Sequence, residues 1–478
     1  MGSVLEDTVT GRPLWGADLR MLTSSPMGED LFGALRADAR EQAADAGTAR
    51  RAPLTRVRAT GLLARPWWLP VLEGLDPYSE AVTALRKVTL APEAVAPFPY
   101  DWRIAVSYNA ALLARTARAH LERWRERLAA RPEWAAAGAR QPRLLFVAHS
   151  MGGLVVRAAL EQDPELAADT RAVVTVGTPF LGSVKSVLAL NLLNTGAKQT
   201  WLLRRVQAMA ATLPGVHDLL PGYRCLDLGL DVERLTPGDV ARFGGDRDLA
   251  ARSLGEHARH RVSGFALPGH RAVVGEAQPT MQTLDEQQGH AGLAIAVGRR
   301  YAFDVGEDGE LVRDPATGIP ARRDASGDGT VHLPSACFGT EAVTYVFGQH
   351  GTLMRHDEVL RQIRRIAVER PQGANLGPGG VDAGPGLEVP RLGGTLGEPL
   401  ILTVTGLESP AGVTLSVRSA TTGRHPGRPL TLRRDPDRTD GALSARFTAD
   451  APDLYRVTLE TGRHAPVTQL VLVTTPDA

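Results

Sequence analysis

A serine stands where the pattern of the chain changes abruptly, at Ser150 in the segment LLFVAHSMGG. The apolar run Leu144–His149 predicts a strand and Leu154–Leu160 predicts a helix, so Ser150 would lie at the apex of a nucleophile elbow. The usual pattern is G-x-S-x-G, and Ala148 replaces its first glycine while Gly152 keeps the second. Small residues there let the strand and helix approach closely. An ordinary strand-to-helix turn is the alternative interpretation.

The residue after the serine is Met151, which precedes the predicted helix. Its backbone N–H would lie at the helix N-terminus, where the charge of a developing oxyanion is stabilised. Met151 is therefore the predicted oxyanion donor, and no other substrate-binding residue is predicted. A serine hydroxyl also needs a base to take its proton and a third group to orient that base.

The best acid candidate is Asp328, in the glycine-flanked loop 324–331 (DASGDGTV). In folds built on a nucleophile elbow the acid follows the serine and precedes the histidine along the chain. Asp324 is the second candidate for the acid. The pattern D-x-S-x-D-G also matches the first half of a calcium loop, but Ser335 stands where such a loop has a bidentate glutamate. No metal site is predicted.

His350 is the predicted base, because it follows the predicted strand Val343–Phe347 by three residues and precedes the predicted helix 353–368. Three other histidines are assigned different places. His356 falls within the helix region and is expected at the surface. His149 is expected to support the turn beside the serine, and His332 lies on the wrong loop to be the base.

Charge and cysteine content restrict the class of protein. The 54 basic residues nearly balance the 53 acidic ones, which disfavours a general nucleic-acid or anionic-membrane binder. Cys225 and Cys337 form no metal-binding spacing, and a disulfide between them is not indicated, so a reducing compartment is the simpler interpretation. With neither a signal-peptide pattern nor a long apolar run, the chain is predicted to be cytoplasmic.

The element pattern divides the chain into three parts. Residues 1–370 alternate strand-like and helix-like segments, which predicts a doubly wound, mostly parallel sheet with an inserted helical cap at about 184–266. Residues 371–397 are rich in Gly and Pro and predict a linker that does not pack. Residues 398–478 predict an all-β, immunoglobulin-like sandwich, and Ala451–Tyr455 resembles a tyrosine corner.

Two apolar features each leave two interpretations open. Leu202, Val206, Met209 and Leu213 fall at helical spacing within the cap. They either pack onto the main sheet or line a pocket for an acyl chain. The pair Trp67-Trp68 either packs in the core or docks the entrance of the site on a lipid surface.

Four stretches together carry a family resemblance: Pro99–Arg103 (PYDWR), Ala148–Gly153, Gly177–Ser183 (GTPFLGS) and Gly327–Val331. At these stretches residues 1–368 resemble the lecithin:cholesterol acyltransferase group of α/β-hydrolases, which includes phospholipid:diacylglycerol acyltransferases and lysosomal phospholipases A2. Leu213–Pro221 also resembles a segment that follows the lid of that group. The resemblance implies an α/β-hydrolase fold with Ser150 as nucleophile, Asp328 as acid and His350 as base. It implies a structural role for Asp101, Trp102 and Arg103.

The chain departs from this group at its start. The group opens with a strand ending in Pro-Gly-x-x-Gly-Ser, whose loop donates an N–H to the oxyanion, whereas this sequence begins Met1-Gly2-Ser3. Either the first strand is missing or the true start lies upstream, and we expect the latter. Losing one oxyanion donor typically costs about 10²- to 10³-fold in turnover. An N-terminally extended protein is therefore expected to be more soluble and more active.

The leading functional hypothesis is a serine esterase, lipase or acyltransferase that acts on lipid-like esters through an acyl-enzyme. Its partner would be a lipid or other ester substrate, potentially at a membrane surface, with no nucleic acid and no cofactor. One alternative is a catalytically weak binding or effector module with a hydrolase fold. Another is a protease or amidase with the same triad. The partner of the β-sandwich stays open.

Overall fold

The structure is a computed structural model that describes most of the chain. The described residues are 2–16, 31–63, 78–136, 138, 140–192, 201–288, 294–306, 310–337, 340, 342–369, 384–390, 393–407, 409–420, 428–435, 438, 441–462 and 466–475. Trp67 and Trp68 lie outside these residues.

The strands are numbered here in chain order. They are β1 Ser3–Asp7, β2 Pro13–Trp15, β3 Val57–Leu62, β4 Leu144–His149, β5 Thr170–Val176, β6 Leu226–Asp227, β7 Val232–Glu233, β8 Arg271–Glu276, β9 Thr283–Gln288, β10 Ala294–Arg299, β11 Ala302–Phe303, β12 Arg322–Arg323, β13 Val343–Phe347, β14 Gly386–Glu388, β15 Gly394–Thr395, β16 Pro399–Thr405, β17 Thr414–Ser419, β18 Arg428–Leu430, β19 Arg433–Arg434, β20 Leu443–Thr448, β21 Asp453–Glu460 and β22 Val467–Thr474.

Helices occupy most of the segments between the strands of the first 370 residues. The α-helices are Leu31–Leu35, Ala39–Gln42, Ala46–Arg51, Ser79–Arg86, Val106–Ala129, Pro132–Ala136, Met151–Glu161, Pro164–Ala168, Val184–Leu190, Trp201–Ala210, Pro214–His217, Pro237–Arg242, Arg247–Val262, Leu333–Ala336 and Asp357–Ala367. Two 3₁₀ helices are Pro92–Ala94 and His350–Arg355.

The central sheet is parallel, as predicted, with the described strands in the order β13–β8–β5–β4. Its middle strand β5 is buried over most of its length, because helices cover both faces. Val173 packs with helices Val106–Ala129 and Met151–Glu161. Its neighbour Val174 faces the other way and packs with helix Asp357–Ala367. The carboxyl ends of all four strands therefore meet at one edge, where a site is expected.

Two further sheets, of three and four strands, accompany the central one; the first is antiparallel, and the second is mixed because β6 pairs with β9 in parallel. One has the order β2–β1–β3, and the other has the order β10–β9–β6–β7. The short strands of the second sheet carry little periodicity, so the sequence pattern does not predict them. Between β8 and β13 the chain makes a long excursion through β9 to β12, and this excursion ends in the loop that contains Asp328.

The described residues of the predicted cap at 184–266 are mainly helical, and among them only β6 and β7 are strands. Its amphipathic helix ends at Ala210, so Leu213 lies beyond it instead of within it. Val206, Met209 and Leu213 pack with residues of the β2–β1–β3 sheet and with Met151. These cap residues thus share an apolar core with the smaller sheet and with the residue that follows the serine.

The C-terminal residues form two sheets with one shared apolar core. Their orders are β14–β16–β20–β19 and β15–β22–β21–β17–β18. The Tyr455 hydroxyl donates to the Ala451 carbonyl (2.8 Å), which is the hydrogen bond of a tyrosine corner. We call residues 384–475 the two-sheet module.

The prediction that residues 371–397 do not pack is wrong at two places. Gly386–Glu388 pairs with β16, and Gly394–Thr395 pairs with β22. Backbone pairing needs no large side chain, so hydrogen bonds to β16 and β22 can hold these Gly- and Pro-rich segments in place.

A buried ion cluster lies beneath the cap, around Arg103. Its guanidinium is 0 % exposed and binds Asp101 (2.6 Å) and Glu41 (3.0 Å), which is 2 % exposed. Arg103 also donates to the Leu35 carbonyl (3.2 Å), and Arg56 binds Glu41 from its other side. These contacts tie the PYDWR segment to helix Ala39–Gln42.

Buried histidines make the stability depend on pH. Burial lowers the pKa of His257, His270 and His332 to about 4 in the folded protein, against about 6.5 in the unfolded chain. Between these values the unfolded chain binds more protons, so the free energy of unfolding falls as pH drops from 6.5 towards 4. Each histidine contributes up to about 3 kcal/mol to this loss. Urea unfolding at pH 7 and pH 4.5 measures it.

The variant His270→Gln separates this effect from the titration of carboxylates. It keeps a polar side chain near Thr175, whose hydroxyl contacts the ring at 2.9 Å, but has no group that titrates. The variant is expected to lose less stability than the wild type on acidification. An equal loss in both proteins would contradict the assignment.

Candidate active site

Ser150 lies at a sharp turn between β4 and helix Met151–Glu161, at the carboxyl edge of the central sheet. Its backbone has φ +54° and ψ −132°, a conformation that non-glycine residues rarely adopt and that costs about 1–3 kcal/mol. The turn is held from both sides, since Ser150 N donates to the Val176 carbonyl (2.9 Å) and Gly153 N donates to the Ser150 carbonyl (3.0 Å). The strain presents the hydroxyl above the sheet.

The structure brings Ser150, His350 and Asp328 into one hydrogen-bonded chain. His350 Nε2 lies 2.8 Å from Ser150 Oγ, and His350 Nδ1 lies 2.7 Å from Asp328 Oδ2. With the ring proton on Nδ1, Asp328 accepts from the ring and Nε2 is free to accept from the serine hydroxyl. His350 itself begins a 3₁₀ helix that precedes helix Asp357–Ala367.

Asp328 is fixed by several further contacts and is 1 % exposed. Its Oδ1 accepts the backbone N–H groups of Thr330 (3.0 Å) and Val331 (2.8 Å). Its backbone carbonyl accepts the N–H of His350 at 2.8 Å, so acid and base are joined twice. Asp324 is engaged elsewhere, since its carboxylate accepts from the Gln282 amide (2.5 Å) and the Ser326 N–H (2.8 Å).

Two glycines make room for the pair of acid and base. A Cβ at Gly177, whose φ is +57°, would lie 2.9 Å from Asp328 Oδ2 and 3.2 Å from His350 Nδ1. A Cβ at Gly275 would lie 2.6 Å from the Cβ of Asp328. Any side chain at either position would push the carboxylate away from the ring. The sequence signal for Gly177 was its place in the GTPF stretch, whereas Gly275 carried none.

His149 supports the site from the residue before the serine, as expected, through a contact that sequence analysis did not specify. Its Nε2 lies 2.9 Å from the backbone carbonyl of His350, which can only accept, so Nε2 carries the proton. Its Nδ1 then accepts from the hydroxyl of Tyr78 at 3.1 Å. Burial and the neighbouring His350 hold the pKa of His149 well below its ordinary value, so this ring stays neutral.

The other histidines take different places. His332 is buried with its ring 4.7 Å from that of Tyr223, and it is not in the hydrogen-bonded chain. His356 is half-buried instead of exposed. Its ring accepts the Glu358 N–H (3.2 Å) and caps helix Asp357–Ala367. A capping role explains why this side chain turns back onto the helix.

Met151 is the first residue of the helix that follows the serine, so its backbone N–H belongs to the unpaired first turn of that helix. Its side chain is buried in an apolar cluster with Phe180, Met209 and Leu213. The serine therefore has a helix N-terminus on one side and apolar side chains from the cap nearby. This combination suits an ester carbonyl that carries an apolar acyl group.

Sequence comparison bears on the same residues. The family model described as lecithin:cholesterol acyltransferase matches residues 12–232. The family match includes Ser150 and the PYDWR segment, and it ends before Asp328 and His350. The predicted resemblance to the lecithin:cholesterol acyltransferase family is thus confirmed.

Solved structures similar to this chain include three with low TM-scores. The Tle4–Tli4 complex has 14 % sequence identity and a TM-score of 0.44, and the match covers 78 % of this chain and 97 % of that chain. The mature lipase BlEst2 of Bacillus licheniformis has 13 % identity and a TM-score of 0.27, with 55 % of this chain and 74 % of that chain covered. The phospholipase PlaB of Legionella pneumophila has 10 % identity and a TM-score of 0.23, with 84 % of this chain and 89 % of that chain covered. All three TM-scores are below 0.5. No curated protein matches the chain.

None of the helices that the structure describes has the length and apolar character needed to cross a membrane.

Proposed function

We propose that this protein is a serine esterase, lipase or acyltransferase of lipid-like esters, with Ser150, His350 and Asp328 as its catalytic triad. The observation that carries the proposal is the hydrogen-bonded chain from the serine through the imidazole to the buried carboxylate, at 2.8 and 2.7 Å. The match of residues 12–232 to the lecithin:cholesterol acyltransferase family model supports an ester of a fatty acid as the substrate class.

The reaction follows from this geometry. Ser150 Oγ attacks the ester carbonyl carbon while its proton passes to His350 Nε2. The N–H of Met151 donates to the oxyanion that forms, and Asp328 stabilises the charged imidazolium. His350 then protonates the leaving alkoxide as its C–O bond breaks, which leaves an acyl-enzyme on Ser150. A water or alcohol, deprotonated by His350, releases the acyl group.

The surroundings of Ser150 favour an acyl chain over a polar substrate. Met151, Phe180 and Met209 belong to one buried apolar cluster that joins the cap to the serine helix. Contact with such side chains stabilises an alkyl group by about 0.8 kcal/mol per buried methylene. Hydrolysis and transfer share all steps up to the acyl-enzyme. The acceptor that reaches the acyl-enzyme decides between them.

A fluorophosphonate probe tests the proposal, because it reacts only with an activated serine. We expect labelling of the wild type and none of Ser150→Ala or His350→Ala. Matched controls are Ser263→Ala, at an exposed serine after helix Arg247–Val262, and His356→Ala, at the capping histidine. Both controls should label like the wild type.

Labelling that persists in Ser150→Ala, or an unlabelled wild type, would contradict the triad and favour the scaffold alternative. Once labelling is established, a series of 4-nitrophenyl esters of increasing chain length measures acyl preference. Adding a long-chain alcohol then separates hydrolysis, which gives free acid, from transfer, which gives a new ester.

For the two-sheet module we propose an immunoglobulin-like fold, as the sequence predicts. Its sheet orders β14–β16–β20–β19 and β15–β22–β21–β17–β18 correspond to strands A-B-E-D and A′-G-F-C-C′ of such domains. The hydrogen bond from Tyr455, near the start of β21, stands where those domains have their tyrosine corner. Fold alone gives the module no function.

A further inference from the structure

The loop that carries Asp328 is supported by the segment 277–280, which follows β8. Gln278 N donates to the Gly327 carbonyl (2.9 Å), and Gln278 forms a parallel bridge with Asp328. The hydroxyl of Thr280 donates to the Gln278 carbonyl (2.7 Å) and accepts the N–H of Gly329 (2.8 Å). The position of the acid thus depends on where this segment lies.

The same segment rests against the two-sheet module. The Gln278 side-chain amide donates to the Pro385 carbonyl at 3.3 Å. Strand β14 approaches so closely that a Cβ at Gly386 would lie 2.6 Å from Pro279 Cδ and 3.1 Å from the Ala277 carbonyl oxygen. Gln278 is 3 % exposed, so this contact is a buried one.

The module also reaches the residue next to the acid. The amide nitrogen of Gln469, in β22, would lie 4.0 Å from a Cβ at Gly329. The same nitrogen donates to the Leu387 carbonyl (3.4 Å), so its place is fixed within the module. Glu388 of β14 binds Arg300 and Arg438, which joins the excursion before Asp328 to the module a second time.

A separate contact holds the element that leads to the base. Phe347 ends β13, three residues before His350, and its side chain packs against the apolar core shared by the two sheets of the module. A Cβ at Gly384 would lie 2.5 Å from this ring. The module therefore contacts both the support of the acid and the strand before the base.

We propose that the two-sheet module is a positioning element of the active site, which holds Asp328 and His350 in register with each other. This inference rests on the proposed function. The module contacts segment 277–280 through Pro385 and Gly386, and Phe347 through its apolar core. The module is then needed for turnover of every substrate, including small soluble esters that it never touches.

The variant Gly386→Val tests this positioning role. Its side chain would collide with Pro279 and push segment 277–280 away from β14. We expect kcat on a short-chain ester to fall about 10- to 100-fold, the loss typical of a misplaced catalytic group, with KM nearly unchanged. The acid limb of the pH profile of kcat/KM should move to lower pH, because a displaced Asp328 stabilises the His350 imidazolium less. The matched control is Gly61→Val, at a strand glycine of β3 with no neighbour within 4 Å.

A second variant covers the case in which Gly386→Val does not fold. Gln278→Met keeps nearly the volume of the side chain and removes the amide that donates to the Pro385 carbonyl. We expect a smaller fall in kcat and a smaller shift of the acid limb than in Gly386→Val, and a thermal midpoint close to that of the wild type. Wild-type kcat and an unmoved acid limb in the folded variants would overturn the positioning role. An unlabelled wild type in the fluorophosphonate experiment would instead overturn the proposed function, so the two failures are distinguishable.

Discussion

Asp328→Asn should lower kcat about 10⁴-fold while the protein stays folded. An asparagine amide placed against His350 Nδ1 donates instead of accepting, which forces the ring proton onto Nε2. The ring then cannot take the proton of Ser150, although the distances to both neighbours are little changed. Turnover of a 4-nitrophenyl ester, followed across pH 5 to 9, measures the loss.

Asp324→Asn is the matched control for this experiment, because the same change is made four residues earlier in the same loop. The amide oxygen of the variant still accepts from Gln282 and from the Ser326 N–H, as the carboxylate does now. We expect kcat close to that of the wild type. Equal losses in the two variants would mean that the loop, and not the Asp328 carboxylate, matters for turnover.

Arg103→Met should be the most destabilising of the substitutions considered, at about 3–5 kcal/mol. It removes the guanidinium from between Asp101 and Glu41, and so leaves two carboxylates buried side by side. Burial already raises the pKa of Asp101, and loss of the positive charge would raise this pKa further, so the variant should take up a proton on folding. The free energy of unfolding in urea at pH 7 measures the effect.

The control is Arg58→Met, which breaks an ion pair of similar length at the surface. Arg58 lies 2.9 Å from Glu6 and its side chain is 65 % exposed, so its loss should cost no more than about 1 kcal/mol. If both variants lose the same stability, the buried cluster does not have the structural role that the family resemblance implies for Arg103.

Strongly patterned parts of the fold could be predicted from sequence. The strands at 144–149, 170–176 and 343–347 are rich in apolar and β-branched residues, and helix Val106–Ala129 is long enough to show its own periodicity. The position of the serine could also be predicted, because it stands between a strand pattern and a helix pattern. The predicted order of serine, acid and histidine led to three residues that the structure brings within hydrogen-bond distance.

Features that depend on a distant partner could not be predicted. Strand β14 lies in a Gly- and Pro-rich stretch and forms because its backbone pairs with that of β16. Glutamate is usually found at the surface, but Glu41 is buried because two arginines compensate its charge. Tyr78 reaches His149 across 71 positions, and no local pattern encodes such a contact.

The order of the strands in the central sheet has a consequence for synthesis. Strands β4, β5, β8 and β13 lie side by side in the sheet in the order in which they are synthesised, with the serine strand first and the histidine strand last. Ser150 and His350 are 200 residues apart, so at ordinary translation speeds His350 is synthesised roughly 10–40 s after Ser150. With the proposed triad, a nascent chain can therefore fold the strand before Ser150 at a stage when no base is present to activate the serine.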